Sequence, residues 1–232
     1  MTKYITKKNI FFALIAAFSC FSFYTCLKND VASIAHFGII MVLISAFAML
    51  AMYILCTKSH ILSTDFFDGK RTLMLFWAIV ALGVAVRIFF CMFTEGVLGD
   101  AYFFVNWSQT AATQGLPNAY VLGDVPAAYP PGYILLLAFM AKIVNFLGVD
   151  PYSRMGILFV TLPAILSDAA IAVLAFYFLR KKSQITAFVT GLSLIVLPIS
   201  IFDSGVWKQV DSVLIFPLLL AFVLLYEEKY MV

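Results

Sequence analysis

Long apolar runs separated by short polar breaks dominate the chain. They fall at 10–27, 33–56, 72–93, 155–179, 184–201 and 210–226, with a shorter seventh at 133–147. A helix needs about 17–25 apolar residues to cross a bilayer, so the six longer runs predict six transmembrane helices. Strands of a lipid-facing barrel would alternate apolar and polar residues, and these runs do not. Polar positions collect at 94–132 and at 202–209. Within the first, Gly99-Asp100 opens a predicted helix that continues to about Gln114. Helical spacing puts Tyr102, Asn106, Gln109 and Thr113 on one face and Phe104, Trp107 and Ala111 on another. An aromatic amphipathic helix of this kind is expected to lie along the membrane interface. Gly115, Pro117 and Gly123 end it, and Tyr129-Pro130-Pro131-Gly132 starts the short apolar segment.

Composition narrows the class. The 232 residues are 64% hydrophobic and 12% charged with a mean hydropathy of +1.03, against about half apolar and a quarter charged in soluble domains. This excludes a soluble enzyme, a nucleic-acid binder and a disordered scaffold, and leaves an all-α polytopic membrane protein with membrane lipids around it. The net charge of +3 implies no acidic partner. Its distribution sets topology. Lys3, Lys7 and Lys8 put the amino terminus in the cytoplasm, and Lys58, Lys70 and Arg71 put the loop 57–71 there too. Arg180-Lys181-Lys182 also falls inside if 133–147 does not cross, so that run reads as a re-entrant or interface-lying helix. Both termini are then cytoplasmic, and 94–154 shares the outer face with 202–209. No small-x-small cleavage site follows the first lysines, and 10–27 reads as an uncleaved helix. Residues 1–71 form an amino-terminal helix pair, and 72–232 a core module carrying the outer loop 94–154. Cys20, Cys26, Cys56 and Cys91 lie in apolar stretches without metal-binding spacing and read as buried thiols.

The candidate chemistry sits on the outer side. Asp100 has two readings, as the N-cap of its helix or as a carboxylate that takes a proton from an incoming hydroxyl. Glu95 and Asp124 read as ordinary loop charges, and the sequon at Asn106-Trp107-Ser108 lies on the amphipathic helix. The turn Phe202–Ser212 carries Asp203, Ser204, Trp207, Lys208, Gln209 and Asp211. It is either a wet turn anchored by an interfacial Trp or a polar wall opposite Asp100, able to bind sugar hydroxyls or a phosphate. Asp168 and Arg87 are intramembrane charges and therefore site candidates, with mutual pairing as the structural alternative. Their depths differ by roughly 10 Å at 1.5 Å per residue. His36 and His60 are isolated and do not read as ligands.

Four segments in order carry a resemblance: Gly99-Asp100-Ala101-Tyr102-Phe103-Phe104, Tyr129-Pro130-Pro131-Gly132-Tyr133, Leu162-Pro163-Ala164-Ile165-Leu166-Ser167-Asp168 and Ser204-Gly205-Val206-Trp207-Lys208-Gln209-Val210-Asp211-Ser212. Over residues 72–232 the chain resembles the GT-C superfamily of membrane glycosyltransferases, and within it bacterial proteins similar to GPI mannosyltransferase II. The resemblance implies an inverting transfer from a polyprenyl-phosphate sugar to a glycan or lipid acceptor of the cell envelope, on the extracytoplasmic face. It implies that Asp100 is the general base and that Asp203, Gln209 and Asp211 line the same cavity. Arg87, Tyr102, Asn106, Tyr129, Trp207 and Lys208 complete the candidate substrate-binding set. Some branches bind a divalent metal with outer-loop acids and others do not; no paired-acid motif decides here. The family pattern has Gly where Lys208 stands and Asn where Asp203 stands.

A departing phosphate needs positive charge or oriented donors. Lys208 and Arg87 are the outer-half candidates, apart from Lys28, Lys142 and Arg154. Family chains are typically longer, with further spans that help hold the lipid donor. The length therefore raises a second expectation, a chain completed by a second membrane subunit or a non-catalytic, lipid-binding relative. A small transporter using Asp168 and Arg87 would require paired broken spans, and Pro163, Pro198 and Pro217 do not form such pairs.

Overall fold

The computed structural model describes residues 69–95, 98–122 and 125–228. Among them every regular element is helical: α1 (Gly69–Phe93), α2 (Leu98–Gln114), a 3-10 turn (Leu116–Tyr120), α3 (Pro131–Phe146), α4 (Arg154–Leu179), α5 (Gln184–Val196), α6 (Pro198–Ile201), a π-helical turn (Phe202–Trp207) and α7 (Asp211–Tyr226). The predicted runs 10–27 and 33–56, with Cys20, Cys26, Cys56, His36 and His60, lie outside the described residues, as does Asp124.

Two described helices are long and apolar enough to cross a membrane, over Thr72–Phe93 and Arg154–Leu179. These match the predicted runs 72–93 and 155–179. The run 184–201 is broken instead: α5 and the segment Pro198–Trp207 meet at a 43° bend, and they count as a third span if the bent pair is one. The break has a local cause. Leu197 precedes Pro198, and the proline ring pushes the residue before it out of helical geometry; Leu197 sits at ψ 132°. The run 210–226 becomes the 16-residue α7, about 24 Å long at 1.5 Å per residue against a hydrocarbon core of ~30 Å. It is therefore a shorter apolar helix, as is α3, which occupies the seventh run.

By contacts the described residues divide into two compact units, one drawn from 69–83, 169–202 and 219–228, the other from 84–168 and 203–218. In the first, Phe76 of α1 stacks on Phe176 of α4 at 4.0 Å between ring centroids, with Val80, Ala187 and Phe188 buried around them. Glycine permits this approach: a Cβ on Gly191 would stand 2.7 Å from Phe76 Cε2 and 3.1 Å from the Ala172 carbonyl oxygen. Small residues at helix contacts are how apolar helices pack when burial from water supplies no drive.

The second unit is built around α2. Its face of Ala101, Phe104, Trp107 and Ala111 is buried against Tyr133, Ile134 and Leu137 of α3. Tyr102 and Thr113 are exposed, and Asn106 and Gln109 half-buried, which is the amphipathic division read from the sequence. The loop between the two helices folds back on them. Trp107 Nε1 donates to the Val125 carbonyl at 2.7 Å, and Tyr120 Oη donates to the Tyr129 carbonyl at 2.8 Å.

Gly191→Val tests the first core. It should lower stability by about 1–3 kcal/mol through overpacking, read as a fall in the thermal midpoint of the detergent-solubilised protein. An unchanged midpoint would show that the α5 approach is slack.

Candidate functional site

The sequence-predicted site residues all belong to the second unit. Asp100 lies in the first turn of α2, where the helix dipole favours a negative charge. Its expected role as an N-cap is not what its hydrogen bonds describe. The carboxylate reaches outward, and Oδ2 accepts from Trp207 Nε1 at 2.8 Å and from Gln209 Nε2 at 2.7 Å. Two neutral donors converge on one oxygen. Oδ1 has no hydrogen-bond partner among the described residues, and the side chain is half-buried rather than sealed.

The donors come from the π-helical turn and the residues that follow it. Such turns are rare and frequent at functional sites, because the extra residue re-aims side chains. This one closes with Gln209 N donating to the Asp203 carbonyl at 3.0 Å. Ser204 and Gly205 bring it against α1: a Cβ on Gly205 would meet Arg87 Cα at 3.2 Å.

Beneath the turn lies a buried charge pair. Arg87 is fully buried at 0% exposure and Asp168 nearly so. Arg87 Nε donates to Asp168 Oδ2 at 3.0 Å and to Ser204 Oγ at 3.2 Å, while Ser204 Oγ donates to Asp168 Oδ2 at 2.5 Å. The pair read from the sequence as a site candidate or a structural bond thus makes the bond directly. The signal for Ser204 was its place between Asp203 and Gly205, a small hydroxyl beside a residue that admits close packing.

Lys208, expected as a cation for substrate, spends its ammonium on the protein. At 2% exposure, Nζ donates to the carbonyls of Thr94 and Glu95 at 3.0 Å each and of Val206 at 3.4 Å. Burial, its largest influence, lowers its pKa below the ordinary lysine value. The Thr94 and Glu95 carbonyls follow the end of α1, which has no basic residue in its own last turn. Arg154 Nη1 adds a bond to the Met92 carbonyl at 3.3 Å, so two remote cations complement the negative end of that helix. The anchorage also holds Lys208 at φ 69°, a left-handed backbone that favours glycine.

Of the remaining candidates, Tyr129 feels the acids of the site. Burial raises its phenol pKa, and the charges of Asp211, Asp100 and Asp203 raise it further. The three acids therefore act on one ring. Asp203 is half-buried, while Asp211 is exposed in the first turn of α7. The Tyr129 ring packs against Phe104, Trp107 and Tyr133 at centroid distances of 5.7, 5.9 and 5.3 Å. Tyr133 was not singled out as a site residue from sequence. It is buried, and its hydroxyl has no hydrogen-bond partner among the described residues; the YPPGY segment was its signal. Tyr102 leans on Tyr152 at 5.9 Å, and Asn106 Oδ1 accepts from Thr110 Oγ1 at 3.5 Å, so neither meets the Asp100 cluster through these contacts. Among the described residues no group of three or more His, Cys, Asp or Glu side chains is arranged to hold a metal ion. Cys91 is buried and unbridged.

No protein family, no curated protein and no solved structure matches the chain.

Two pairs of variants test this geometry. Arg87→Met should destabilise by about 3–5 kcal/mol by stranding the Asp168 charge, and adding Asp168→Leu should recover most of the loss; unfolding of the solubilised single and double variants checks it. At 208, Ala combines the lost carbonyl bonds with an unfavourable φ, whereas Gly suffers only the first. Lys208→Ala should therefore be less stable than Lys208→Gly by about 1 kcal/mol, and the reverse order of midpoints would contradict the backbone argument.

Proposed function

We propose that the chain is an integral-membrane glycosyltransferase, or the amino-terminal part of one, that transfers a sugar from a polyprenyl-phosphate donor to a lipid or glycan acceptor on the extracytoplasmic face with inversion. The observation that carries this reading is Asp100. Its Oδ2 is held by Trp207 and Gln209, which fixes the carboxylate plane and leaves Oδ1 to accept the proton of an acceptor hydroxyl. Inverting transfer needs one base within hydrogen-bond reach of that hydroxyl. The phosphate leaving group needs little acid help. Tyr129, whose ring feels the charges of Asp100, Asp203 and Asp211, supplies an aromatic group among acids, of the kind that binds sugar rings and hydroxyls. The resemblance read over residues 72–232 supplies the reaction class.

One observation favours a second reading, a non-catalytic membrane partner. Arg87 Nε and Lys208 Nζ, the cations expected to steady a departing phosphate, donate to the protein's own groups. In the catalytic reading that charge comes from elsewhere, and a second membrane subunit is one source.

Asp100→Asn decides between the roles. It keeps an oxygen for Trp207 and removes the base, so transfer from a polyprenyl-phosphate sugar should fall by about 10²-fold or more with the thermal midpoint retained. Full turnover in Asp100→Asn removes Asp100 as base. Absence of turnover in the wild-type chain, alone and with its co-purifying membrane proteins, favours the second reading.

A further inference from the structure

The first unit holds an apolar groove of about 750 Å³ between α4, α5 and α7. Ile171, Leu174, Phe178, Leu194, Leu219 and Phe222 line it, and Tyr226 stands among them. Its volume lies within the ~300–1,000 Å³ of ligand sites, but it lacks the few polar groups that orient a polar ligand. The polar chemistry lies at the helix ends beside Tyr226. There Lys182 Nζ donates to Tyr226 Oη at 3.2 Å and rests over the same ring at 5.2 Å. Phe178 meets that ring edge-on at 5.3 Å. Lys181 pairs with Glu227, and Arg180 stacks over Tyr177 at 5.2 Å. Arg180 also lines a cavity of about 220 Å³ with Lys70, Thr72 and Gln184. All three cations of the turn are exposed.

We propose that this groove binds one anionic phospholipid, with an acyl chain along the α4–α5–α7 wall and its phosphate at the Lys181-Lys182 turn. Charge complementarity selects the occupant. An apolar groove alone accepts any chain, but a groove whose mouth residue is bonded to a lysine, in a run of three exposed cations of which Glu227 neutralises one, favours a negative headgroup. A zwitterionic lipid gains the chain contacts without the net attraction. The site shares no residue with the Asp100 cluster and does not depend on the transferase reading. Under the charge-based topology it faces the cytoplasmic leaflet, whose surface is negative.

Native mass spectrometry of the detergent-solubilised full chain tests it, with phosphatidylglycerol and phosphatidylcholine of identical acyl chains as probes. Phosphatidylglycerol should give a single retained adduct at roughly tenfold lower concentration than phosphatidylcholine. Lys181→Gln and Lys182→Gln should each weaken that adduct about fivefold without affecting the phosphatidylcholine adduct. Ala175→Trp, which fills the groove, should remove both adducts, with helical circular dichroism as the folding control and Leu219→Trp as the substitute should it misfold. Equal retention of the two lipids overturns the headgroup assignment, and adducts surviving both tryptophans overturn the groove. Displacement by chain-free glycerol phosphate at lipid-like concentration would mark a phosphate site instead. A lipid-independent dimer dispersed by Ala175→Trp would mark a second copy as the occupant.

Discussion

The contact on which the second unit depends is the buried arrangement of Arg87, Asp168 and Ser204. It joins α1, α4 and the π-helical turn at one point, through bonds of 2.5–3.2 Å. Two opposite charges in so dry a place are costly to bury, and the arrangement holds because Ser204 satisfies both partners. That fixes the turn immediately ahead of Trp207 and Gln209. Loss of the Ser204 anchor would free the segment that aims both donors at Asp100. The buried pair therefore acts through position, while the Asp100 carboxylate is half-buried and keeps one oxygen without a hydrogen bond among the described residues.

Lys208 extends the same logic to the other side of the turn. A lysine at φ 69° would ordinarily give way to glycine or relax. Here its ammonium bridges carbonyls at the exit of α1, with Arg154 on a neighbouring carbonyl. In an apolar setting an unsatisfied carbonyl is costly, so the strain at 208 is balanced by the bonds it allows. The residue that looks from sequence like a ligand for phosphate is, in space, a cap for a helix that carries no basic residue in its own last turn.

Much of this was legible in the chain. The long runs 72–93 and 155–179 are strong signals because length and apolarity agree, and the amphipathic stripe of α2 is carried by Phe104, Trp107 and Ala111 at helical spacing. The break at Leu197-Pro198 was written in the sequence but outweighed there by the apolar run around it, since periodicity sees composition before local backbone geometry. Asp100, Trp207 and Gln209 were each visible as candidates. Their convergence was not, because sequence separations of 107 and 109 residues carry no local signal. The role of Lys208 was hidden for the same reason: a cation announces its charge in the sequence, whereas the carbonyls that consume it belong to every residue alike.

The charges of the second unit are sorted by what surrounds them. Arg87 is matched to Asp168, and Lys208 and Arg154 to backbone carbonyls. Of the ion pairs among the described residues, neither includes Asp100. An ion pair with a guanidinium tends to engage both carboxylate oxygens, since the fork is bidentate. An indole and an amide converging on Oδ2 orient the group just as firmly and leave Oδ1 open. Its neutral donors, its open oxygen and its partial exposure together distinguish Asp100 from Asp168, the other acid held by side chains of the same turn.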